Sequence, residues 1–190
     1  MGGIIAMVYA GAHPERLARL VINDIGPDAE VGSQRITQMV GDRPEVFATL
    51  EDAMAYRRSV SPILAGRSEA DQRELALGVL RQQADGRWVW KLDPAYSQQR
   101  VQHGPPRRPA LWPALQRLQC PTLVVRGMES DVFSETQARR MVEVLPHGEL
   151  VAVPGVGHAP TLMEPVALAA LARLLGAGET VAAPSAAQRV

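Results

Sequence analysis

Cysteine is nearly missing from this chain: Cys120 stands alone among 190 residues and cannot close an internal disulfide, which fits a reducing compartment. Net charge is missing as well, because 20 basic residues meet 20 acidic ones. The single local pair of arginines, Arg107-Arg108, lies between prolines without interleaved aromatics, so nucleic acid and anionic membrane surfaces are not expected partners. No apolar run is long enough to span a bilayer. The nearest, Ile4 to Ala12, imitates a signal core, and Ala10-Gly11-Ala12 imitates its cleavage site, but no positive charges precede it. The Met-Gly start departs from the myristoylation pattern, since position 6 is Ala. Internal repeats and dinucleotide or Walker-type glycine motifs are lacking too, and together these features imply a cytoplasmic protein.

What is present is an ordinary globular composition, 46% hydrophobic and 21% charged, enough for one domain with an inserted subdomain. Ile4, Ile5, Val8 and Tyr9 share one face of a predicted N-terminal helix that ends at His13-Pro14, with His13 a turn residue rather than a base. Arg19 to Asn23 reads as a parallel strand covered on both faces, closed by Asp24-Ile25-Gly26-Pro27. The pattern then changes for about eighty residues. Asp42-Arg43-Pro44 suggests a cap for a helix carrying Val46, Phe47, Leu50, Ala53 and Met54, and a second helix from Ser68 runs through Leu75, Val79 and Leu80. Arg87 to Lys91 suggests a short extended segment, and no parallel strand is evident before Pro113.

After Pro121 the α/β pattern returns. Thr122 to Val125 and Leu150 to Val153 read as buried strands, with Cys120 packing ahead of the first. Between them, Ser134-Glu135-Thr136-Gln137 caps a helix with Ala138, Met141, Val142 and Leu145 on its apolar side. Pro165 opens a last helix expected to bury Leu168, Leu171 and Leu175 and to close at Gly176, and residues 177–190 lack periodicity.

Functional loops of parallel sheets sit at the carboxyl ends of the strands, and both Ser130-Asp131 and Gly155-Val156-Gly157-His158 follow such strands. A carboxylate that accepts a hydrogen bond from an imidazole fixes its tautomer and stabilises the imidazolium, so Asp131 and His158 form a candidate catalytic pair. Asp24 also follows a strand and is the alternative acid. The aromatics Phe47, Tyr56, Trp88, Trp90 and Tyr96 either line an apolar pocket or pack the insertion against itself.

Pro121 to Gly127, Ser130-Asp131 and Gly157-His158-Ala159-Pro160 resemble the acid and histidine segments of cap-bearing α/β-hydrolase-fold enzymes. Gly2-Gly3, His13-Pro14-Glu15-Arg16 and Leu20-Val21-Ile22-Asn23-Asp24 resemble the segment just after the nucleophile elbow of that family. The resemblance implies an α/β fold: a partial hydrolase fold with about three parallel strands flanked by helices, and a mainly helical cap. The divisions are residues 1–27, a cap at 28–115, a core at 116–176 and a disordered tail at 177–190. It implies hydrolysis of a small organic molecule (ester, lactone or C–C bond) through a covalent intermediate, with no metal or organic cofactor. His158 would be the base and Asp131 its orienting acid. The G-x-S-x-G elbow is the departure: if Gly2 matches its last glycine, the nucleophile falls just before Met1, and the Met1 N–H belongs to the oxyanion hole. The chain therefore reads as truncated before its nucleophile. The missing strands would leave a sheet edge open to self-association. The alternative expectation is a non-catalytic pseudoenzyme or interaction module.

Overall fold

The computed structural model describes residues 2–29, 32–103 and 110–176; Met1 and the tail at 177–190, on which two expectations fall, lie outside them. The chain forms two compact units, one of Met1–Gly32 with Arg108–Val190 and the other of Ser33–Arg107. The inserted unit thus begins at 33 and ends at 107, inside the expected limits of 28 and 115.

In the first unit, helix α1 (Gly2–Ala12) leads through a short 3-10 turn (Pro14–Arg16) into β1 (Leu20–Asn23). Helix α2 (Gly32–Gly41) opens on the last residue of the Met1–Gly32 segment and otherwise belongs to the second unit, where β2 (Val46–Phe47), α3 (Leu50–Val60), α4 (Pro62–Ala65), α5 (Glu69–Val79), β3 (Leu80–Gln82), β4 (Trp88–Trp90) and α6 (Pro94–His103) follow. The first unit resumes with α7 (Trp112–Leu115), β5 (Thr122–Gly127), α8 (Glu135–Val144), β6 (Gly148–Val153) and α9 (Pro165–Leu175).

Strands β1, β5 and β6 form a parallel sheet in the order β1-β5-β6, with Leu20 opposite Thr122 and Val125 opposite Val151. The central strand is the one buried on both faces: every residue of β5 is buried, whereas β1 alternates between buried Leu20 and Ile22 and half-buried Val21 and Asn23. The expected two-sided burial of β1 therefore belongs to its neighbour. On one face, Leu20, Ile22 and Val124 pack with Met7 and Ala10 of α1, Leu115 of α7 and Ala138 and Met141 of α8; Cys120 is buried in the same core. Helix α9 packs on β5 and β6.

Two apolar faces differ from their expected registers. Helix α1 buries Met7, Ala10 and Gly11 and leaves Ile5, Val8 and Tyr9 exposed. Helix α9 buries Ala167 and Ala170 and exposes Leu168 and Leu175. In α9 the buried residues are both alanines, and in α1 Ala10 and Gly11 share the buried face with Met7, so bulk and hydropathy alone pointed to the wrong side of the cylinder. Gly11 illustrates the constraint: a Cβ there would lie 2.4 Å from the Ala114 Cβ.

The second unit holds a three-stranded antiparallel sheet, β2-β4-β3. Phe47, Leu50, Ala53, Met54, Ala76 and Leu80 form its core, with Tyr56, Trp88 and Trp90 against it. Val46 and Phe47 are strand, not helix: the true start of α3 is a capping box in which Thr49 Oγ1 accepts from the Asp52 N–H while Asp52 accepts from the Thr49 N–H. Leu80 likewise leaves α5 to open β3.

Candidate active site

The carboxyl ends of β1 and β5 lie side by side, and the chain beyond β6 returns over them. Asp24 follows β1 directly, at φ 51°, a left-handed backbone that Asp tolerates better than most side chains. Its amide still donates to the Val125 carbonyl at 2.8 Å, so the residue is held to β5 as the strand ends. The side chain is fully buried. Oδ1 accepts from the Gly127 N–H at 2.9 Å, and Oδ2 accepts from the Ser130 hydroxyl at 2.7 Å. His158 Nδ1 completes the set at 2.8 Å from the same Oδ2. A carboxylate can only accept here, so the proton sits on Nδ1 and the Nε2 lone pair is available. The His158 side chain is 23% exposed, whereas its partner carboxylate is fully buried.

Ser130 is a fixed donor. Its oxygen accepts from the Val132 and Phe133 amides, each at 3.3 Å, which aims its hydrogen at Asp24. Arg126 braces the same turn, donating from Nε to the Phe133 carbonyl at 2.8 Å and from Nη1 to the Met128 carbonyl at 3.2 Å.

The histidine loop is tied to both strands. Met128 N–H donates to Val153, Glu129 N–H donates to Val156, and the Asn23 side-chain amide donates to the Pro160 carbonyl at 2.8 Å. Close approach is possible because residue 127 is glycine: a Cβ there would lie 2.4 Å from the Val156 carbonyl oxygen and 2.5 Å from that of Gly157. Gly155 turns the chain at φ 67°.

The partner of His158 is therefore Asp24, the alternative acid, and not Asp131. One residue past Ser130, Asp131 is exposed, it packs against Gly32, and its carbonyl accepts from the Gly32 N–H at 3.1 Å. Ser130, to which the sequence alone assigned no role, is the side chain that the loop after β5 contributes to the cluster. The signal for Asp24 was its position after a strand adjacent to the acid strand; register between β1 and β5, which brings the two strand ends together, is not written in either segment alone. The oxyanion expectation for Met1 falls outside the described residues. Among the described residues, no group of three or more His, Cys, Asp or Glu side chains could hold a metal ion.

The model of the Alpha/beta hydrolase family matches residues 1–171. The chain belongs to the alpha/beta hydrolase family. A 3-hydroxybutyrate-oligomer hydrolase from Cupriavidus necator is 33% identical over 177 residues, covering 89% of this chain and 60% of that protein. The crystal structure of an alpha/beta hydrolase from Novosphingobium aromaticivorans is 32% identical with a TM-score of 0.77, covering 92% of this chain and 62% of its own. A hydrolase from Rickettsia typhi, described as putative, shares the fold at a TM-score of 0.76 and 22% identity, with 93% and 60% covered. This alpha/beta hydrolase chain thus spans about three fifths of the length of these relatives. No helix among its described residues is long and apolar enough to cross a membrane.

Proposed function

We propose that the chain carries the acid–base half of a hydrolase that acts on a small ester through a covalent intermediate. In this reading His158 is the general base and Asp24 the acid that orients it. The observation that supports it is the bond between Asp24 Oδ2 and His158 Nδ1, made by a carboxylate that is fully buried and already holds two other donors. Such a carboxylate fixes the ring tautomer, so Nε2 takes the proton of the attacking group, hands it to the leaving alcohol, and then activates the water that releases the acyl group. The buried negative charge offsets the imidazolium that forms between these steps. Asp131, exposed and turned toward Gly32, takes no part.

The nucleophile in this proposal precedes Met1, supplied by a G-x-S-x-G turn whose last glycine is Gly2. The 33% identity to a 3-hydroxybutyrate-oligomer hydrolase favours esters of short hydroxy acids as the substrate class. The test compares two polypeptides on p-nitrophenyl butyrate: the 190 residues alone, and the same residues with the upstream reading frame attached. The first is expected to be inactive. The second should turn the ester over and lose about a thousandfold or more of its rate on His158→Ala. An upstream frame without such an elbow, or an extended protein indifferent to His158→Ala, would sink the proposal in favour of a non-catalytic module.

A further inference from the structure

Asn23 is the one polar side chain of β1, ending a strand that otherwise reads Leu20-Val21-Ile22. It is half-buried like Val21, and its backbone is fixed opposite Val125 of β5. Its side-chain amide donates to the Pro160 carbonyl at 2.8 Å, across 137 positions of the chain. A carbonyl oxygen only accepts, so this bond dictates which end of the amide faces the loop. The other end, Oδ1, is buried, and among the described residues nothing donates to it. A buried acceptor without a donor costs stability that an apolar side chain at the same place would not lose. The case for an amide at position 23 therefore rests on the bond its nitrogen makes.

That bond closes a bracket around His158. Before the histidine, the Glu129 N–H donates to the Val156 carbonyl at 2.9 Å and holds the loop to the end of β5. After it, Asn23 holds Pro160, two residues on. Between these holds the imidazole reaches Asp24, the residue next to Asn23, through Nδ1 at 2.8 Å. Consecutive residues at the end of one strand thus grip positions 158 and 160 of the same loop. A ring held by one hydrogen bond can still swing about it, whereas a second hold on its backbone, mounted on a strand, fixes its direction.

We infer that Asn23 is a positioning residue for His158: it anchors the loop at Pro160 so that Nδ1 stays on Asp24 and Nε2 keeps one direction. The inference deepens the hydrolytic reading and rests on it for what the ring is aimed at, while the anchoring itself is measured without substrate. A base displaced by a fraction of an ångström loses rate at the proton-transfer step and leaves substrate affinity intact. The amide is therefore expected to act on kcat and not on KM.

Proton NMR of the 190-residue chain, following the downfield Nδ1 proton of His158, tests the anchoring beside urea denaturation. Asn23→Leu keeps the size of the side chain and removes both ends of the amide; Asn23→Asp keeps the shape and sets an acceptor against the Pro160 carbonyl. Both should lose the resonance, or exchange it with water about tenfold faster than wild type, although their urea midpoints differ. Asn23→Leu should stay near the wild-type midpoint, because removal of the orphaned oxygen offsets the lost bond, while Asn23→Asp should fall below it. Thr49→Ala, in the second unit, should lower the midpoint and keep the resonance. In the upstream-extended protein, Asn23→Leu should lower kcat on p-nitrophenyl butyrate about ten- to a hundredfold and change KM less than about threefold. A wild-type resonance in both Asn23 variants, or a loss that merely follows the midpoint and appears in Thr49→Ala too, would overturn the inference. Absence of hydrolysis by the extended wild-type protein would count against the hydrolytic reading alone, since the resonance decides the anchoring without it.

Discussion

Three donors converge on the Asp24 carboxylate, and this sets what each neighbouring side chain is worth. Removing the charge but not the shape, as in Asp24→Asn, replaces an acceptor by an amide that can present a donor to Nδ1, which disfavours the productive tautomer. In the upstream-extended protein, Asp24→Asn should lower kcat by about 10³- to 10⁴-fold while Asp131→Asn changes it less than about threefold. Steady-state kinetics on p-nitrophenyl butyrate decides between them, and the opposite ranking would restore Asp131 as the acid. Ser130→Ala is milder, since one hydroxyl donor is lost from a carboxylate that keeps two partners. At this scale the sequence displayed the histidine and both acids but not their pairing. Asp131 and Asp24 each follow a strand, and only the side-chain directions after the β5 turn and the left-handed backbone of Asp24 separate them.

Elements are held at the site by contacts that a single atom can disturb. Gly127→Ala would drive a methyl group into the carbonyls of Val156 and Gly157, so the histidine loop must move away from β5. We expect a loss of about 2 kcal/mol in unfolding free energy, a typical overpacking cost, together with loss of the Asp24–His158 hydrogen bond. Urea denaturation measures the first, and the downfield Nδ1 proton resonance of His158 measures the second. In the second unit, Thr49→Ala removes the reciprocal cap of α3 and should cost about 1 kcal/mol in the same assay. That helix also shows why some elements were legible and others not. Helix α8 has its cap, its apolar positions and its boundaries in one continuous signal, Ser134 accepting from the Gln137 N–H. Before α3, two competing starts lie within eight residues: Pro44 looked like the opening, but Val46 and Phe47 pair with β4, and a two-residue strand carries too little periodicity to announce itself. In α1 and α9 the helices were legible and their buried faces were not, because Ala10 and Gly11 (beside Met7) and Ala167 and Ala170 face inward while larger apolar residues such as Ile5, Val8, Leu168 and Leu175 lie outside.

At the scale of the whole molecule, the parallel sheet is the part most clearly written in the sequence, and its outer edge is the part with the largest consequence. Among the described residues β1 pairs with β5 alone, which leaves its other edge without a strand. On α1, which packs on the same core, Ile5 is 59% exposed, Val8 45% and Tyr9 44%. These three positions follow helical spacing and so form one continuous apolar stripe, the feature by which a surface helix usually seeks a partner. A net charge of zero removes the repulsion that would otherwise keep copies apart. The 190-residue chain should therefore self-associate at micromolar concentration in sedimentation velocity, and Ile5→Lys with Val8→Lys should shift it toward monomer without loss of helix content. A monomer across that concentration range, or association unchanged by both lysines, would count against the α1 stripe as the contact.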